Sequence, residues 1–185
     1  MNETKVKNLS FLLTLIIITI SVISGFGFYK FYQVNKKLRA AIPYLFPGEK
    51  IEYFDILGQD AKIKNLSDLN SNRTSLIFIF SRPCSPCNKN IVYWKKIASI
   101  LGDKVKAYGI VLGKINETFE LTEKTTLDFD VYVPENLPKF IEMFRLKLNF
   151  PQTLIYQDHK VIYQKLGELE GEDAAVIIKK AQETV

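Results

Sequence analysis

Cysteine and histidine are scarce in this 185-residue chain, which has two of the first and one of the second. A structural zinc site normally takes four ligands from Cys, His or carboxylate, so Cys84, Cys87 and His159 make a poor basis for one and no metal ligand is assigned. The chain also lacks a phosphate-binding glycine loop and a Ser/His/Asp set, which leaves phosphoryl and acyl transfer unsupported. Internal repeats and low-complexity runs are missing too. What is present is one pair of cysteines three positions apart, Cys84-Ser85-Pro86-Cys87, and the rest of the chain reads as support for it.

The net charge of +5 is not spread evenly. Residues 51–185 hold 18 Lys/Arg and 18 Asp/Glu, whereas residues 1–50 hold 7 and 2. The folded part is therefore neutral overall, and nucleic-acid binding has no support. The surplus flanks Leu9 to Phe28, a stretch without a charged residue and dense in Ile and Leu. About 20 such residues cross the hydrocarbon core as a helix. A cleaved signal peptide is the alternative, with Val22-Ile23-Ser24 ahead of Gly25 as the cleavage site; the apolar run continues past it, which favours an uncleaved anchor.

The expected organisation is a cytoplasmic N-terminus (1–8), a transmembrane anchor (9–29), a juxtamembrane tether (30–50) and one α/β domain (51–185). Lys30, Lys36, Lys37 and Arg39 after the anchor attract anionic lipid headgroups of the bilayer. Counted against Lys5 and Lys7, they would put the domain in the cytoplasm. Large domains are exported in spite of such charges, and a lone anchor ahead of a Cys-x-x-Cys domain is most simply an export device. The expectation is a single-pass protein of a bacterial cytoplasmic membrane with its C-terminal domain extracytoplasmic.

Thr74 to Phe80 is β-branched and aromatic, with the length of a buried strand that ends at Ser81. Beyond the cysteines, Cys87, Ile91, Trp94, Ala98 and Leu101 recur at helical spacing, and Gly102 supplies a stop. The pair thus sits where a strand hands over to a helix. There the free N–H groups and the dipole stabilise an anion, so Cys84 is expected as the exposed nucleophilic thiolate and Cys87 as the inward resolving thiol. Pro86 suits the first turn, which has no use for the N–H it lacks. Arg82 either helps Cys84 ionise or is a solvated surface charge. A metal site and an inert structural pair are the competing readings of the motif.

Ile51–Ile56 and Ala61–Lys64 flank the turn signal Gly58-Gln59-Asp60, and Ser67 is a plausible cap. Val105–Leu112 reads as a second core strand, and Asn116 caps a helix through Lys124. Asp130–Val133 is a brief strand, and Pro138 opens a helix with Phe140, Ile141 and Phe144. Thr153–Tyr156 and Val161–Lys165 form a hairpin around Gln157-Asp158-His159-Lys160. His159 belongs to that turn and has no catalytic part. A closing helix over Glu172–Glu183 turns Ala175, Ile178 and Val176 inward. Strands alternating with helices, then a hairpin and a helix, make a mixed-sheet α/β domain.

Together the anchor, Leu66-Ser67-Asp68-Leu69, the strand running into Cys84-Ser85-Pro86-Cys87, and Phe150-Pro151-Gln152-Thr153-Leu154-Ile155 resemble the thioredoxin fold. More narrowly, the chain resembles membrane-anchored, TlpA-like thiol-disulfide oxidoreductases over roughly residues 51–183. The resemblance implies a thioredoxin-like mixed sheet flanked by helices, preceded by one N-terminal transmembrane helix. It implies a cis Pro151 lying against the cysteines, with the Phe150 backbone free to pair with an extended substrate. No cofactor is implied beyond a redox-active Cys84–Cys87 disulfide. The implied partners are exported cysteine-containing proteins, apocytochrome c among them, and a membrane thiol carrier of electrons.

Three positions depart from the family's pattern. Pro83 replaces a tryptophan, Phe78 replaces a buried aspartate on the central strand, and Asn90 replaces a glutamate three residues after the second cysteine. Both usual proton acceptors for the buried thiol are therefore missing. Two other classes of function stay in view: a copper-handling module with both thiolates on Cu(I), and a binding domain that docks a partner by strand addition without turnover.

Overall fold

In the computed structural model, residues 17–35, 44–51, 54–66, 73–115, 118, 127–146 and 150–185 are described. The expected Ser67 cap and most of the expected Asn116–Lys124 helix fall outside them. The chain divides into two compact units, Met1–Ile42 and Pro43–Val185.

In the first unit, helix α1 (Ile17–Asn35) is long and apolar enough to cross a membrane. Its 19 residues rise about 28 Å at 1.5 Å each, close to the thickness of a bilayer's hydrocarbon core. Described side chains such as Ile17, Ile20 and Phe28 are exposed.

The second unit is a seven-stranded mixed sheet in the order β2-β1-β5-β4-β3-β6-β7. The strands are β1 (Asp55–Leu57), β2 (Ile63–Asn65), β3 (Ser75–Phe80), β4 (Lys106–Val111), β5 (Asp130–Pro134), β6 (Gln152–Gln157) and β7 (Lys160–Leu166). Helices α2 (Ser85–Leu101), α3 (Leu137–Met143) and α4 (Gly171–Glu183) complete it. All six residues of β3 are buried, because it has a parallel neighbour in β4 and an antiparallel one in β6 and both faces are covered. This is the central strand expected on sequence.

Alternation along β3 feeds two cores. Leu76, Phe78 and Phe80 face α2 and α4, with Trp94, Ile97, Ile177 and Ala181. Ile77 and Ile79 face the other way, with Phe140 and Phe144 of the α3 region and with Leu45 and Ile51. Residues 44–50, read from sequence as the end of a tether, thus belong to the folded unit. Ile51 N–H donates to the His159 carbonyl (3.1 Å), and Leu45 N–H donates to Gln164 Oε1 (2.5 Å). Arg145 donates to the Tyr44 carbonyl (2.8 Å) and pairs with Glu49.

The β6–β7 hairpin turns through Asp158 and His159, both in the left-handed region (φ 49° and 61°), as a two-residue turn between antiparallel strands requires. At α3, Phe140 and Phe144 stack at 4.2 Å and Ile141 is 36% exposed. One expected face shifts. Helix α4 buries Ala174, Ile177 and Ala181, leaving Ala175 and Val176 exposed and Ile178 half-buried.

Candidate active site

Strand β3 ends at Phe80 and, after a short turn, α2 begins at Ser85, so Cys84 occupies the N-cap position. Its backbone is extended (φ −125°, ψ 100°), and its carbonyl accepts from the N–H groups of Cys87 (3.1 Å) and Asn88 (3.2 Å). Its Sγ accepts from the Cys87 N–H at 3.2 Å, the place a Ser or Asp oxygen fills in other helices. Pro86 lies in the first turn, and no acidic residue there competes for the positive end of the helix. Negative charge on Cys84 is therefore favoured by the backbone of the first turn.

Cys84 and Cys87 are joined as a disulfide with their Cα atoms 5.2 Å apart. The two sulfurs differ in access: Cys84 is half-buried, while Cys87 is 1% exposed beneath the helix with Phe80 and Trp94 in the same cluster. Arg82, Pro83, Ser85 and Pro86 surround Cys84 on the exposed side. Only the outer sulfur can meet a macromolecule.

The Phe150–Pro151 peptide is cis, as the resemblance implies. In the β3–β6 register Ile79 faces Gln152, which sets Pro151 at the end of β3 that leads into the cysteines. Phe150 is half-buried and packs against both cores. The cysteine turn and the proline loop thus meet at one end of the sheet.

Phe78 and Asn90 hold the positions where an acid was expected, and both are wholly buried. Phe78 stacks on Trp94 at 5.0 Å and meets Phe129 edge-on. The Trp94 indole N–H donates to Thr153 Oγ1 at 2.8 Å, tying α2 to β6 just beyond the proline. Asn90 Nδ2 donates to the Gly167 carbonyl (3.0 Å), and the Leu169 N–H donates to Asn90 Oδ1 (2.7 Å). The sequence marks Asn90 only as a missing acid and Thr153 only as part of the stretch after the proline, neither as a hydrogen-bonding residue of the site. The one available signal was Asn90's place, a polar residue one helical turn below Cys87 on the stripe that points inward. Ile97, not Ala98, takes the corresponding place further along.

A mixed sheet of this order with a Cys-x-x-Cys disulfide at the head of α2 and a cis-proline before β6 is the thioredoxin fold. Solved structures agree. The thioredoxin domain of a thiol-disulfide oxidoreductase from Bacteroides vulgatus superposes with a TM-score of 0.63 at 17% identity, over 74% of this chain and 97% of that one. A DsbF homologue from Corynebacterium diphtheriae gives 0.59 at 18% identity, covering 76% and 90%. An exposed lipoprotein thioredoxin from Streptococcus pneumoniae gives 0.58 at 18%, covering 70% and 99%. By sequence alone, no family model and no curated protein matches the chain.

Proposed function

We propose that this chain is a membrane-tethered thiol-disulfide oxidoreductase acting on extracytoplasmic proteins through Cys84 and Cys87. The observation that carries the reading is the asymmetric disulfide: Cys84 at the helix N-cap with access to partners, Cys87 sealed below it, and a cis-proline loop beside them.

In the reducing direction the Cys84 thiolate attacks one sulfur of a client disulfide, forming a mixed disulfide and releasing the other client sulfur as a thiolate. Cys87, once deprotonated, attacks Cys84 Sγ, which re-forms Cys84–Cys87 and frees the second client thiolate. Two electrons pass to the client, and its thiolates take up two protons. Run backward, the same steps oxidise a client. Phe150 and Pro151 present backbone to an extended client segment, which pairs with it by strand addition. Phe78 and Asn90 offer Cys87 no acid–base partner, so its deprotonation is expected to limit resolution of the mixed disulfide. The redox-active Cys84–Cys87 disulfide carries the electrons, and no organic cofactor is called for in these steps.

Helix α1 is read as the anchor, with the domain on the outer side of a bacterial cytoplasmic membrane. Exported cysteine-containing proteins, apocytochrome c among them, are the proposed clients, and a membrane thiol carrier is the proposed electron source. The similarity to an exposed lipoprotein thioredoxin supports that side of the membrane.

The test is a glutathione-buffered redox titration of the full chain in detergent, with thiol trapping. A reversible two-electron couple is expected between about −270 and −120 mV. A value below about −220 mV marks a reductase, and one near −120 mV an oxidant. Absence of a reversible couple would sink the reading in favour of a Cu(I)-binding or docking module.

A further inference from the structure

The turn after β7 is held from the cysteine helix and bonded to the proline loop at once. Asn90 donates to the Gly167 carbonyl (3.0 Å) and accepts from the Leu169 N–H (2.7 Å), while Lys89 pairs with Glu168 between them (2.9 Å). In the other direction, the Gly167 N–H donates to the Pro151 carbonyl at 2.7 Å. Gly167 therefore stands as a bridge, with its N–H toward Pro151 and its C=O toward Asn90. Its φ of +83° is one that glycine adopts without a Cβ penalty. Asn90 is 0% exposed, and Leu169 shares an apolar cluster with Cys87, so water does not replace these bonds.

We infer that Asn90 is a positioning residue for disulfide exchange. Through the Gly167 peptide it sets where the Phe150–Pro151 loop stands relative to Cys84–Cys87, and hence the register in which an extended cysteine-containing peptide lies across the disulfide. The inference rests on the exchange reaction proposed above. An amide suits the position because it donates to a carbonyl and accepts from an N–H simultaneously. A carboxylate has no donor for Gly167, and an aliphatic side chain serves neither partner. A small disulfide needs only access to Cys84, whereas a peptide needs the sulfur and the loop in register.

The experiment compares the reduced full chain with its Asn90→Ala and Asn90→Asp variants. Second-order rate constants are measured for glutathione disulfide and for an extended peptide that carries a mixed disulfide at its central cysteine. The glutathione reaction is expected within about twofold of wild type, and the peptide reaction slowed about tenfold or more. Asn90→Asp is isosteric and keeps the acceptor for Leu169, so it carries the comparison if Asn90→Ala does not fold. An unchanged ratio in a folded variant overturns the positioning role while the exchange reaction stands. A wild-type protein that reacts with neither disulfide overturns the reaction itself, and the inference with it.

Discussion

On the α2/α4 face of the sheet, apolar packing is supplemented by directed bonds that converge near the cysteines: Trp94 to Thr153, Asn90 to Gly167 and Leu169, and Lys165 to Asp173. On the α3 face the aromatic core of Phe54, Phe140 and Phe144 is as well filled. There, directed bonds instead join Arg145 and Gln164 to residues 44–49, Arg145 donating and Gln164 accepting. Burial stabilises both faces, but it is non-directional and tolerates sliding. The polar links mark what has to be held in register: the helix that carries Cys84 on one face, and the segment leading into the domain on the other.

Substitutions that separate the two faces sharpen this contrast. The largest effect is expected for Cys84→Ser, which leaves no outer thiolate and should abolish turnover of a peptide disulfide in a stopped assay while the melting curve of the reduced protein barely moves. Next is Trp94→Ala, which empties a large buried site against Phe78 and Phe80 and should cost about 3–5 kcal/mol in urea unfolding. Trp94→Phe should cost about 1–3 kcal/mol, since Thr153 loses its partner.

Alkaline pH should strike the other face. Burial pushes the phenols of Tyr108, Tyr132 and Tyr156 up to about 12, helped at the first two by the charge of Asp130. A raised folded value means that stability is fully present below the ordinary tyrosine value of 10 and is lost as pH rises from there toward 12. The unfolding midpoint in urea is therefore expected to fall across that window, and Tyr156→Phe to blunt the fall.

Arg145→Ala frees the segment at Tyr44 and Glu49 and should cost about 1–3 kcal/mol, read as faster proteolysis near Pro47, with disulfide exchange within about twofold of wild type. Equal losses of exchange from Arg145→Ala and Trp94→Phe would erase the distinction between the faces.

The smallest effect is expected for Asp173→Asn, which removes the partner of Lys165, roughly 0.5–1 kcal/mol for a pair this close to the surface. Burial would raise the Asp173 carboxyl, but the bonds from Lys165 and the Glu170 N–H outweigh it and leave it below the ordinary value of 3.8. Its contribution is present above that value and lost as pH falls through the lower, folded one. Wild type and Asp173→Asn should accordingly converge in urea stability at strongly acid pH.

Much of the fold was legible because each local signal agreed with the global one. Ser75–Phe80 has no pattern other than a strand buried on both faces, Gly102 stops the helix where expected, and Asp158-His159 tolerates the backbone of a tight hairpin. The disulfide and the cis bond at Pro151 were legible because few residue types form either. Asn90 was harder. In sequence it counts as an acid that is missing, whereas in the structure it is an amide with two backbone partners 77 and 79 residues away.

The closing helix shows where the division lies. Ala174-Ala175 and Ile177-Ile178 are adjacent identical pairs, so a face read from Ala175 and Ile178 goes astray by one position, although Ala181 beside Gln182 favours the phase through Ala174 and Ile177. Composition and periodicity determined that a helix would stand there and that an apolar stripe would face the sheet. Contact with α2, β6 and β7 is what buries Ala174, Ile177 and Ala181 there. The same holds at the site. Sequence determined which sulfurs could pair and which proline could be cis, since those are properties of single residues. Their meeting, and the bridge through Gly167 that joins them, belong to strand order, because hydrogen bonds between distant segments exist only once the sheet has brought those segments together.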